Sequence, residues 1–141
     1  MRKPRAIIYD DEIILLNLFK EWLTQRGYEV LSFTEPKVCP LHEKKSDRCT
    51  QEHKCADVVI TDFNMPEMTG LELLQRQCQR GCKLDTKHKA VISGVTEKRI
   101  RETIKDMGAS FFQKPLIIPE FSEWLSECEK RIDLSVPLGP L

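Results

Sequence analysis

Residues 57–62 read Asp57-Val-Val-Ile-Thr-Asp62, and near the start of the chain residues 6–12 read Ala6-Ile-Ile-Tyr-Asp-Asp-Glu12. Each is a short apolar run that stops abruptly at aspartate. Apolar character that is continuous rather than alternating marks a strand covered on both faces. Two such strands, Ala6–Tyr9 and Asp57–Thr61, each followed at once by carboxylates, set the pattern for the rest of the chain.

Outward from these strands the pattern repeats. Ile13 to Arg26 carries Leu15, Leu16, Phe19, Trp22 and Leu23 at helical spacing, and Gly27 stands where a helix C-cap belongs. Tyr28–Phe33 reads as a strand, Leu71–Gln77 as a helix, Ala90–Ile92 as a strand, and Glu97–Met107 as a helix with Ile100, Ile104 and Met107 on one face. Phe111 and Phe112 mark a fifth strand. A last helix opens at Pro119 and continues through Phe121, Trp124, Leu125, Cys128 and Ile132. Strands alternating with helices predict right-handed crossovers and an α/β fold: a doubly wound, five-stranded parallel sheet with helices on both faces. The expected folded unit spans residues 4–131, followed by a frayed tail over residues 132–141.

Asp10, Asp11 and Asp62 then lie at carboxyl ends of strands, the edge where open α/β sheets build their sites. In a flavodoxin-like strand order, 2-1-3-4-5, the first and third strands flank the switch point and the three carboxylates converge. Converging carboxylates repel one another, so their ionised state calls for a hard cation, and a few oxygen ligands with open positions suit Mg²⁺. Ser93 and Lys114 end the fourth and fifth strands and reach the same rim. A hydroxyl and an ammonium there bind phosphoryl oxygens, while the Asp62 carboxylate is placed to attack phosphorus.

The motifs Tyr9-Asp-Asp-Glu12, Thr61-Asp-Phe-Asn-Met-Pro-Glu-Met-Thr-Gly70, Ser93-Gly94 and Lys114-Pro115, in this order, resemble the receiver domain of two-component response regulators. The resemblance implies that Asp62 is the phosphoacceptor, that Asp11 and Asp62 ligate Mg²⁺ directly, that Asp10 acts through a bound water, and that Asn64 offers its backbone carbonyl. It also implies a switch in which Ser93 turns inward to hold the phosphoryl group and Phe111 follows, and a cis peptide at Lys114-Pro115. Phe111 departs from the tyrosine frequent at that position. Val95 and Asn64 stand where receivers vary to tune attack of water on the phosphoryl group, and valine cannot orient that water. The implied role is a single-domain response regulator, a phosphoacceptor rather than a turnover enzyme. Its expected partners are a sensor histidine kinase or phosphotransfer protein upstream and an unidentified protein downstream, with dimerisation open.

One segment breaks the rhythm. Residues 36–55 are polar, contain Cys39, His42, Cys49, His53 and Cys55, and lack a clean amphipathic helix, so they replace or interrupt the expected second helix. Cys55 precedes the third strand and Cys82 the fourth. The two therefore share the amino edge of the sheet, and with Cys39 and Cys49 they could form a four-cysteine Zn²⁺ site or a redox site, with His42 or His53 as substitute ligands. The resemblance assigns these residues no role. The plainer reading makes Cys78 and Cys128 small core residues and the others free thiols. A competing function follows, a metal- or redox-responsive binding protein on a receiver scaffold.

Composition narrows the remaining classes. Over 141 residues Lys+Arg and Asp+Glu are both 22, and no block of like charge points to nucleic acid or a membrane surface. The apolar run after the basic N-terminus is too short for a signal peptide, and no stretch approaches a membrane span, so a cytoplasmic location with mostly reduced cysteines is expected. Taken singly, the acidic cluster is a helix N-terminus and Lys114-Pro115 a strand exit. Their joint placement at carboxyl strand ends is what carries the reading.

Overall fold

The computed structural model describes residues 1–39, 48, 49, 51–94 and 97–140. Along these, β1 (Arg5–Tyr9), α1 (Ile13–Gln25), β2 (Glu29–Phe33), β3 (Val58–Asp62), α2 (Gly70–Gln79), β4 (Lys89–Ser93), α3 (Lys98–Asp106), β5 (Ser110–Gln113) and α4 (Ile118–Arg131) follow one another. The five strands form one parallel sheet in the order β2-β1-β3-β4-β5, as expected from the alternation. Among the described residues no helix falls between β2 and β3.

Alternate strand residues serve opposite layers. Ile8, Val58, Ile60 and Ala90 pack with Leu16 and Leu23 of α1 and with Phe121, Leu125 and Cys128 of α4. Ile7, Tyr9, Val59 and Val91 pack instead with Leu73 and Leu74 of α2 and Ile104 of α3. β3 and β4 are buried along their whole length, which is why they read as unbroken apolar runs. Phe121, fully buried, meets Phe19, Trp22, Phe112 and Trp124 at centroid distances of 5.2, 5.8, 5.0 and 5.4 Å and ties α1, α4 and β5 into one cluster. Each large side chain buried in this way contributes about 1.5–3 kcal/mol.

The helix ends follow local chemistry. Gly27 takes a left-handed φ of 103° after α1, and the Tyr28 N–H returns to the Leu23 carbonyl. Thr69 caps α2 by accepting the Glu72 N–H at 3.1 Å.

Three expectations need correction. β3 begins one residue later than the apolar run suggests and includes Asp62 as its last residue. Cys78 is exposed on α2, whereas Cys128 is buried. The tail is docked, not frayed: Arg2 Nε donates to the Val136 carbonyl (2.7 Å), Arg5 Nη1 to the Gly139 carbonyl (3.1 Å), and the Gly139 N–H to the Lys54 carbonyl (2.9 Å). No described helix is long and apolar enough to cross a membrane.

Candidate functional site

The sheet order brings the carboxyl ends of β1, β3, β4 and β5 to one rim. Register pairs Tyr9 with Thr61, Asp62 with Ile92 and Ser93 with Gln113, so the residues that close or follow these strands are neighbours. Asp10, Asp11 and Asp62 each place a carboxylate oxygen within 4.8 Å of the others. Asp62 is 7 % exposed, and its Oδ1 receives Lys114 Nζ at 2.8 Å. The Lys114-Pro115 peptide is cis, and the Lys114 N–H donates to the Ser93 carbonyl at 2.8 Å. Asp10 Oδ1 also accepts the Glu12 N–H at 2.9 Å, which fixes one of its oxygens at the mouth of α1.

The electrostatics are lopsided. Burial pushes the Asp62 carboxyl up against the pull of Lys114, and Asp11 pushes it further. The Asp10 carboxyl rises too, from burial first, opposed by the Glu12 N–H, with Asp62 adding to the rise. Burial works against the Lys114 ammonium, yet Asp62, Asp10 and Glu12 outweigh it and raise its pKa. Asp10, Asp62 and Lys114 all shift toward their protonated forms, as a site with surplus negative charge requires.

The arrangement fits a hard divalent cation. Its donors are oxygens only, they are close enough to share one ion, and their mutual repulsion is what a cation relieves. Receiver domains hold Mg²⁺ at such an acidic pocket, and among the described residues these aspartates form the one such cluster.

The other expected site residues are placed as follows. Ser93 is buried at the end of β4. Asn64 is exposed in the loop just after Asp62. Phe111 is half-buried on the α3 side, packed against the cluster that holds Val91 and Ile104. Val95 lies outside the described residues, as does His42.

Two features were not anticipated. A Cβ on Gly70 would lie 2.5 Å from the Asp62 carbonyl oxygen, so glycine alone lets α2 start against β3. Beside Asp62 and Lys114 opens a cavity of about 460 Å³, lined largely by Leu15, Leu18, Phe19, Trp22, Leu116 and Ile118. The run Ile13-Ile-Leu-Leu16 was its signal, since four successive apolar residues cannot all face one sheet.

At the other end of β3, Cys39, Cys49, Cys55 and Cys82 line one small cavity together with His53. Burial, then the neighbouring Cys49, Cys82 and Cys39, pushes the Cys55 thiol up to about 11.

Comparison with known proteins agrees with the geometry. The transcriptional regulatory protein FlgR of Helicobacter pylori is 30% identical over 112 residues, covering 78% of this chain and 25% of FlgR. The chain spans a quarter or less of the length of the curated relatives it matches. The receiver domain of the Francisella response regulator 1452 matches with a TM-score of 0.72 at 17% identity, covering 91% of this chain and 98% of that one. The receiver domain of HemR from Leptospira biflexa gives 0.70 at 22% identity, covering 89% and 94%. At these identities the structures speak for the fold alone. The model of the response regulator receiver domain matches residues 6–125, and the chain belongs to that family.

Proposed function

We propose that the chain accepts a phosphoryl group on Asp62 from a phosphohistidine of a sensor kinase or phosphotransfer protein, and that phosphorylation changes its binding to a downstream protein. The observation that carries this reading is the pair Asp62 and Lys114, 2.8 Å apart and largely shielded at the end of β3, beside Asp10 and Asp11.

In the transfer, an Asp62 carboxylate oxygen attacks phosphorus and forms a P–O bond. The P–N bond to the donor imidazole breaks, its electron pair returns to nitrogen, and that nitrogen takes a proton from water. The product is an acyl phosphate. Asp10, Asp11, Asp62 and the Asn64 carbonyl would hold Mg²⁺, which when bound neutralises charge on the phosphoryl oxygens. Lys114 follows the charge, exchanging the Asp62 carboxylate for a phosphoryl oxygen. The Ser93 hydroxyl, one strand over, donates to another, and Phe111 repacks as Ser93 moves. Hydrolysis of the acyl phosphate by water returns Asp62 to the carboxylate, so the chain performs only self-directed phosphoryl transfer and autodephosphorylation.

The donor reaches Asp62 across an apolar rim. Ile13, Ile14 and Leu18 of α1, with Ile117 and Ile118 at the start of α4, are exposed, and Leu18 and Ile118 line the cavity at the site. A group that must deliver phosphorus to a carboxylate 7 % exposed has to cover this rim, which suits the histidine-bearing helix of a phosphodonor protein. The reading places the protein in the cytoplasm with such donors. Relatives named as regulators favour it over a metal- or redox-responsive binding protein on the same scaffold.

Intact mass after treatment with acetyl phosphate and Mg²⁺ tests the reading. One phosphoryl adduct on wild type and none on Asp62→Asn is expected. No adduct on wild type, or equal adducts on both, overturns it.

A further inference from the structure

Phosphoacceptor chemistry uses none of the cysteines, yet four of them come together from separate points in the chain. Cys39 follows β2, Cys49 and Cys55 precede β3, and Cys82 sits in the turn after α2; all four line a single cavity of about 50 Å³ at the amino end of β3. All four are free thiols. The segments that carry them are anchored independently of sulfur. The Cys49 N–H donates to the Arg80 carbonyl (2.6 Å), the Cys82 N–H to the Gln77 carbonyl (3.0 Å), and Gln77 Nε2 to the Val38 carbonyl (3.0 Å).

We propose that Cys39, Cys49, Cys55 and Cys82 hold one thiophilic divalent cation of the Zn²⁺ class, in a four-thiolate structural site separate from the aspartate cluster.

Three observations support this site. The first is size: a cavity of about 50 Å³ has room for one ion or for very little water. Among the described residues only the aspartates have ligand atoms within 4.8 Å of one another, so ion binding requires the four sulfurs to draw together to the spacing of about 3.8 Å of a tetrahedral site with metal–sulfur bonds near 2.3 Å. The second is the need for order. Residues 36–55 contain Val38 and Leu41 as their only large aliphatic side chains, too few to fix a segment of this length by burial.

The third is charge. Lys89 is fully buried, and among the described residues its ammonium meets only the neutral Gln77 Oε1, at 2.9 Å. Gln77 itself lines the thiol cavity. Among the described residues no carboxylate pairs with this buried ammonium, and a negative centre beside Gln77 would compensate it. Binding a divalent ion releases four thiol protons and leaves such a centre, of net charge −2. Arg80 lies against Cys39 as a second cation.

The two sites do not compete. Thiolates select Zn²⁺ and oxygen donors select Mg²⁺. Cys78, exposed on α2, and Cys128, on the core face of α4, lie away from the cavity and serve as controls.

The test is the metal content and native mass of the full chain purified under reducing conditions, for wild type, Cys55→Ser, Cys82→Ser and Cys78→Ser. One zinc per chain in wild type and Cys78→Ser, with near-complete loss in the other two, is expected. Cobalt exchange of wild type, which needs no variant to fold, should give the sulfur-to-cobalt charge-transfer absorption of a thiolate site. Wild type that carries no metal, with all its thiols freely reactive or four hydrogens lost to two disulfides, overturns the proposal. So does cobalt that binds without that absorption. Phosphorylation of Asp62 is measured separately, so failure of one reading leaves the other standing.

Discussion

A β-carbon added to Gly70 would lie 2.5 Å from the carbonyl oxygen of Asp62 and 3.0 Å from the Thr61 methyl, so the first turn of α2 is pressed against the end of the strand that carries the Asp62 carboxylate. The Gly70 N–H donates to the Phe63 carbonyl at 2.8 Å and locks that approach. Replacing glycine by alanine in a helix ordinarily stabilises by about 0.5–1 kcal/mol. Overpacking of a rigid backbone contact costs about 1–3 kcal/mol, and here the clash is with main chain that cannot swing away. Gly70→Ala is therefore expected to lower the urea midpoint and to slow labelling of Asp62 by acetyl phosphate, both read against wild type. A variant as stable as wild type would mean that α2 is not held at this distance.

The surplus negative charge at the rim has a sign that can be checked. The folded protein raises the Asp10 carboxyl above 3.8, so it binds that proton more tightly than the unfolded chain does. An acid shifted this way costs nothing below its unfolded pKa and costs its full penalty once pH exceeds its folded pKa. Asp10→Asn keeps an oxygen to accept the Glu12 N–H and removes the charge. At neutral pH without Mg²⁺ it should raise the melting temperature, on the order of 1–3 °C given partial solvent screening. The gain should vanish below pH 3.8, and Mg²⁺ should stabilise wild type more than the variant. Differential scanning calorimetry with and without Mg²⁺ reads all of this.

The sheet was legible because β1, β3 and β4 are covered on both faces and read as unbroken apolar runs that stop at aspartate or serine. Those same stops put Asp10, Asp11, Asp62 and Ser93 at one rim. What stayed hidden depends on partners far away in sequence. Asp57 looked like the start of a strand, but it is a buried carboxylate between Arg2 and Lys54. Gly70 carried no local sign that a carbonyl lies where its side chain would be. Helical spacing placed Leu15 among the apolar positions of α1, and periodicity counts such positions without knowing how wide a stripe the sheet can cover.

The Arg2–Asp57 pair clamps the N-terminus and tail to the body. Arg2 meets both carboxylate oxygens, at 2.6 and 2.9 Å, and the Arg5 N–H adds a third bond at 2.8 Å. Burial alone would raise the Asp57 carboxyl; Arg2, the Arg5 N–H and Lys54 more than reverse this and hold it below the usual range. A depressed carboxyl contributes stability that is present above pH 3.8 and is lost as pH falls through its folded pKa. Lys54 remains 3.3 Å away if Arg2 is removed, so Arg2→Ala should cost about 2 kcal/mol at pH 7, near the value of a charged hydrogen-bonded pair. The cost should shrink markedly in urea titrations carried out below that pH.

On the proposed function, the rim beside Asp62 separates two routes to the same acyl phosphate. Ile14 and Leu18 are 73% and 60% exposed on α1 and make no part of the acidic cluster. Acetyl phosphate needs only the rim chemistry of Asp62, Lys114 and the cation, whereas a phosphohistidine domain must also bury an apolar contact to bring its imidazole in line. Leu18→Asp places a charge in that contact, at a cost of about 1–3 kcal/mol to docking. Transfer from a phosphorylated histidine phosphotransfer domain that labels wild type should therefore slow by about 10- to 100-fold in Leu18→Asp. Labelling by acetyl phosphate should be unchanged. Equal loss by both routes would mean that the substitution damages the fold, and no loss by either would remove α1 from the docking face. A change in oligomeric state with transfer intact would instead assign the patch to a second copy of the chain.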